Sequence, residues 1–123
     1  MADSYNHLIR QIVISTTAVT TLAGTAGDNG STDNTTGTLA SFNYPTGITT
    51  DGTNLYVADR NNKKVRQIVI STGVVTTLAG SGVGGKNNGP GTAATFKQPV
   101  GITTDGIDLY VIDKSNHLIP KID

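Results

Sequence analysis

Asp3, Asp59 and Asp113 each precede an asparagine by three residues: Asn6, Asn62 and Asn116. Carboxylate and amide oxygens at that spacing could hold a hard cation. The pair recurs at each copy of the same local sequence, which favours a plainer role, a side-chain to backbone hydrogen bond that fixes a turn. Asp51 and Asp105 are a second repeated set, each followed by glycine. A hairpin Asp-Gly is explained by its turn and needs no catalytic role. His7 and His117 stand where another copy has Lys63, so the position does not require imidazole. No convergent zinc ligands are visible, and no Ser-His-Asp or Cys-His spacing marks a nucleophile. There is no Glu to pair with an Asp as a raised-pKa acid. The reading assigns no catalytic residue, no metal ligand and no cofactor.

One stretch imitates a phosphate cradle. Gly80, Gly82 and Gly85 fit G-x-G-x-x-G after an expected strand, and Lys86 follows. A P-loop needs Ser or Thr after the lysine and a helix whose first amides face phosphate. Asn87 stands at the hydroxyl position, and Asn88-Gly89-Pro90-Gly91 cannot start a stable helix. The stretch reads as a turn-rich loop. Asn29-Gly30-Ser31 and Asn34-Thr35-Thr36 match the glycosylation pattern, which matters only in a eukaryotic secretory host.

The elements behind these residues are short strands. Residues 47–51, 54–59, 65–70 and 74–79 read as four strands, A to D, of one module spanning 45–80. Asp51-Gly52-Thr53, Arg60 to Lys63, and Ser71-Thr72-Gly73 supply the turns. No useful length shows helical spacing, so the module is an antiparallel meander. The rest of the chain repeats it. Residues 6–24 match 62–80, and 45–68 match 99–122. The chain is read as a single domain, 1–123, holding about two repeats cut out of phase. Strands C and D come first (7–24), then the complete module (45–80), then strands A and B (99–113), then a surplus strand-C stub (116–122). Leu39 and Phe42, matched by Ala93 and Phe96, are expected to pin the far ends of the two long loops.

The run from Leu55 to Ile68, the Asn6-His7-Leu8 and Asn116-His117-Leu118 tripeptides, and the Thr-Leu-Ala-Gly strand ends resemble the NHL repeat. The resemblance covers essentially the whole chain and implies an all-β fold of β-propeller blades, two per chain. Propellers of that family most often have six blades. Some NHL-like propellers resemble metal-dependent lyases or lactonases, with ligands at the channel mouth, where Asp51 and Asp105 are the only repeating acids. Others bind ligands or RNA.

Composition narrows these options. Nine basic and nine acidic residues give zero net charge, without the basic stripe that nucleic-acid binding needs. No apolar run approaches membrane-spanning length. The absence of cysteine leaves the redox compartment open, and Met1 to Asn6 shows no signal peptide. The compartment is left unassigned, an extracytoplasmic parent protein included, and no natural ligand is named. The expected partner is the chain itself, because blades need neighbours. Head-to-tail joining closes a ring if the rotation allows, with a trimer favoured. Leu8, Ile9, Ile12, Ile14, Val19, Leu22, Ile102, Leu109, Tyr110 and Val111 are expected to form the contacts between copies. Strand A is innermost in such propellers, so Thr49, Thr50, Asp51, Thr103, Thr104 and Asp105 should line the channel. In the ring, residues 7–14 are expected to fill the shared blade. Pro120 removes a donor from the rival stub, so residues 115–123 are expected to be displaced.

Overall fold

The computed structural model describes residues 1–114 and 117–122, which form three antiparallel sheets. The first sheet holds β1 (Ala2–Asp3), β2 (Leu8–Ile12) and β3 (Val19–Ala23). The second is the complete meander β4 (Pro45–Thr50), β5 (Asn54–Asp59), β6 (Lys64–Val69) and β7 (Val75–Ala79), paired in sequence order. The third runs β8 (Pro99–Thr104), β9 (Leu109–Asp113) and β10 (Lys121–Ile122). There is no α-helix among the described residues; short 3₁₀ turns stand at Ser4–Asn6, Gly37–Leu39, Arg60–Asn62 and Gly91–Ala93.

The middle sheet is buried on both faces, which is why its strands read as nearly continuous apolar runs. Val57, Ile68 and Val75 pack with Ile9 and Ala23 of the first sheet, around Phe42 and Ala40. Val65 and Ala79 pack the other way, with Leu109, Val111 and Phe96 of the third. Strand alternation divides β6 between the two clusters. The second and third sheets come closest at their first strands, β4 and β8. A Cβ on Gly47 would lie 2.5 Å from the Val100 carbonyl oxygen, and the Thr46 hydroxyl donates to that same oxygen at 3.0 Å. Only glycine permits this approach.

One expectation changes. Leu39 is exposed, and the loop is pinned one residue later, by Ala40 together with Phe42. The 3₁₀ turn at Gly37–Leu39 aims Leu39 outward. The C-terminal stub, whose displacement is expected only where a second copy competes for its place, lies against β9 in the single chain. Leu109 faces Ile122 and Tyr110 faces Lys121, the register that pairs Leu55 with Ile68 and Tyr56 with Gln67 in the complete sheet. The edge of β9 offers backbone groups that need partners, and no rival strand is present. Pro120 still accepts from the Val111 N–H at 3.1 Å and lacks only the return bond. Ser115, Asn116 and Asp123 lie outside the described residues, so the third Asp-Asn pair does too.

Corresponding turns expose one local strain. Gly73 takes φ 78° and its N–H donates to the Val69 carbonyl. In the first sheet the same turn places Thr17 at φ 59°, a region that β-branched residues avoid. Thr17→Gly should therefore raise stability by about 1 kcal/mol, read as a higher urea midpoint with an unchanged slope.

Candidate functional site

The chemistry of the complete sheet centres on Arg66, whose side chain is fully buried. A bulge in the β6–β7 pairing lies between Val65 and Arg66, and such bulges re-aim side chains. The guanidinium lies over the Phe42 ring, 4.8 Å from its centre. Its Nη1 donates to Asp59 Oδ2 at 2.9 Å and to the Ser41 carbonyl at 2.9 Å. Its Nη2 donates to Asp33 Oδ1 at 2.7 Å and to the Thr32 carbonyl at 3.0 Å, and Nε donates to Asp33 Oδ1 at 3.2 Å. Asp33 in turn accepts from the Thr77 N–H on β7 at 3.1 Å.

Asp59 does more than fix its turn. It accepts the Asn62 amide at 2.6 Å, as the repeated pair implies, and also the Asn43 N–H at 2.9 Å from the end of the long loop. Burial pushes the Asp59 carboxyl up, while Asn62, the Asn43 amide and Arg66 pull it back. The arginine and its aspartate thus join strands B and C to loop 24–44 and, through Asp33, to strand D. This is a structural network. Sequence reading found Asp59 and Asn62 but not Arg66 or Asp33; arginine at this place in both C–D copies was the available signal.

The copies are unequal. In the first sheet Arg10 meets Asp3 at 3.3 Å with its side chain one-third exposed. Its Nε is the one buried side-chain nitrogen or oxygen lacking a partner among the described residues. In the third sheet Asp113 is buried and accepts the Lys97 and Gln98 N–H groups at 3.1 and 2.8 Å, while Pro120 stands where the arginine would be.

The expected channel residues group along the first strands and their hairpins. Thr50 and Thr104 donate to the Asn54 and Asp108 carbonyls at 2.8 and 2.7 Å. Thr49 lies on β4 and Thr103 on β8, opposite Tyr56 and Tyr110. Asp51 accepts from the Thr53 and Asn54 N–H groups and from the Tyr56 hydroxyl at 2.8 Å. Asp105 does the same with Ile107, Asp108 and Tyr110. These backbone donors hold both carboxyls below the usual carboxylate range. His7 takes a left-handed turn position and accepts the Tyr44 N–H at 3.0 Å, a contact that the sequence does not reveal. His117 occupies the corresponding turn position. No group of three His, Cys, Asp or Glu is placed to hold a metal among the described residues.

Of the residues expected between copies, Ile9, Leu109 and Val111 are buried in the chain's own two cores, with Leu22 and Ile102 packed against them. Leu8 is also buried, and Tyr110 half-buried. Ile12, Ile14 and Val19 are exposed.

A four-stranded antiparallel meander packed face to face between two three-stranded sheets, and closest to the third at their first strands, is the arrangement of β-propeller blades. Residues 42–68 match the NHL repeat model. The human NHL repeat-containing protein 2 is 41% identical over 80 residues, 63% of this chain and 11% of that protein. A solved auxiliary nutrient binding protein from Bacteroides ovatus superposes with a TM-score of 0.82 at 25% identity, over 98% of this chain and 33% of its own. A Bacteroides thetaiotaomicron protein provisionally described as a phosphatase gives a TM-score of 0.80 at 25% identity, over 98% of this chain and 31% of its own. Residues 42–68 carry an NHL repeat, and the chain is similar to NHL-repeat proteins over about two-thirds of its length. It spans about a tenth of the curated relatives it matches and about a third of the solved chains.

Arg66→Met should cost about 3–5 kcal/mol by leaving Asp59 buried without its cation, and Arg10→Met, at a partly exposed pair, under about 1 kcal/mol. Chemical denaturation of both variants checks the contrast. Asp51 and Asp105, with depressed folded pKa values, contribute stability that is complete above the ordinary carboxylate pKa. That contribution declines as pH falls through the folded values. The stability gap between wild type and Asp51→Asn should therefore shrink on strong acidification, measured by urea unfolding across pH.

Proposed function

We propose that the chain is a non-enzymatic propeller building block that acts as a scaffold or binding module. Copies of the 123-residue chain join head to tail into a closed ring, three copies and six blades being favoured. The observation that carries this reading is a mismatch between equivalent residues. Ile12 and Val19 of the first sheet are 48% and 47% exposed, whereas their counterparts Ile68 and Val75 in the complete sheet are 0% and 1% exposed. Ile112, on the opposite outer face, is 50% exposed. Apolar faces of this kind mark contact surfaces. The length supports three copies, since one copy matches about a third of each solved neighbour.

In such a ring the β4 and β8 strands would border the axis. Thr49, Thr50, Thr103 and Thr104 would make its wall polar, and small polar ligands would bind there. The engagement of Asp51 and Asp105 in turns supports binding over catalysis. The provisional phosphatase description belongs to the neighbour that carries it.

Light scattering on the 123-residue chain should return three times 12.7 kDa. A folded species of 12.7 kDa at every concentration would overturn the reading.

A further inference from the structure

A cleft of about 700 Å³ opens in the third sheet between the end of the second long loop and the C-terminal stub. Its wall reproduces, piece by piece, the site that encloses Arg66. Phe96 and Asp113 stand for Phe42 and Asp59, with Asp113 accepting loop N–H groups as Asp59 does. Thr95 and Asn87 repeat the interlock of Ser41 and Thr32. In each pair the first N–H donates to the second carbonyl at 3.0 Å, and the second N–H donates to the first hydroxyl at 2.9 Å. The residue after that interlock is Asn88 where the filled site has Asp33. All these groups line the cleft. The second loop is therefore folded around a place for a guanidinium, and Pro120 stands at the strand position that should supply it.

The chain carries an arginine with the opposite deficiency. Arg10 occupies the same place on β2 as Arg66 on β6, behind the same bulge. It has an aspartate, Asp3, but no loop around it, and its Nε is unpartnered. The geometry points to a specific exchange. In a neighbouring copy, residues 117–122 leave the edge of β9, and β2 of the first copy takes their place. Arg10 then enters the cleft and trades Asp3 for Asp113, the carbonyls of Thr95 and Asn87, and the face of Phe96. Ile12 and Val19 become buried as Ile68 and Val75 are. Residues 1–3 and 117–122 are placeholders, holding the two half-blades in register until a second copy arrives. β1 pairs with β2 over two residues, and the stub holds β9 through two residues and the separate Asp113–Leu118 bridge, with Pro120 interrupting the ladder between them. Continuous five- and six-residue ladders of the kind that joins β4, β5 and β6 would displace both.

This exchange rests on the proposed self-association, and its test separates the two. The chain has no cysteine, so engineered pairs report cleanly. Tyr110→Cys with Lys121→Cys fastens the stub to β9. Once oxidised, this variant should remain monomeric at concentrations where wild type assembles, and reduction should restore assembly. Tyr110→Cys with Gln11→Cys should instead yield covalently linked copies on a non-reducing gel, because Gln11 takes the place of Gln67 opposite Tyr56. Arg10→Met should weaken association on the order of a hundredfold, and Pro120→Arg, which fills the cleft from within, should also weaken it. If the oxidised stub-fastened variant assembles as wild type does, or no linked copies form in an assembled sample, the exchange is wrong while self-association stands. A wild type that stays monomeric at every concentration defeats both.

Discussion

The structure depends on one buried charge. A guanidinium removed from water is tolerated only when it is paired and its donors are satisfied. Arg66 meets that condition with two carboxylates and two loop carbonyls drawn from widely separated segments. A pair that must be made well also dictates where its partners lie. Loop 24–44 is long for a connection without strands, yet it is ordered around this group: Phe42 stacks on it, Asp33 ties it to β7, and Asn43 caps Asp59.

The same demand explains why the three sheets differ although their sequences repeat. Strand pairing within each sheet is satisfied locally by hairpin turns, so β2–β3, β6–β7, β4–β5 and β8–β9 share registers and bulges. The loop before a blade's first strand, in contrast, serves the third strand of that blade. Wherever first and third strands are not both complete, either an arginine lacks its loop or a loop lacks its arginine. The first and third sheets show one case each.

Apolar burial follows the same logic. Each core lies between sheets, with Ile9 and Ile68 meeting in one and Val65 and Val111 in the other. Stability in such stacked repeats is a sum of unit and nearest-neighbour terms. A sheet with one open face therefore keeps apolar residues in water, as Ile12 and Val19 of the first sheet are.

Alternation, turn residues and repetition were enough to read the four-strand module, its copies and the family from the sequence, because strands and hairpins are specified by near neighbours. The Asp-Asn pairs and the Asp-Gly hairpins were legible for the same reason. Tertiary structure alone decided which residues surround Arg66, that Ala40 rather than Leu39 pins the loop, and that residues 117–122 lie on β9 in the single chain. Those outcomes depend on groups far apart in sequence, such as Asp33 with Arg66 or Tyr44 with His7. They also depend on which strand is available to an open edge. No local pattern encodes either, because a buried charge and an unpaired edge take whatever partner the completed packing brings to them.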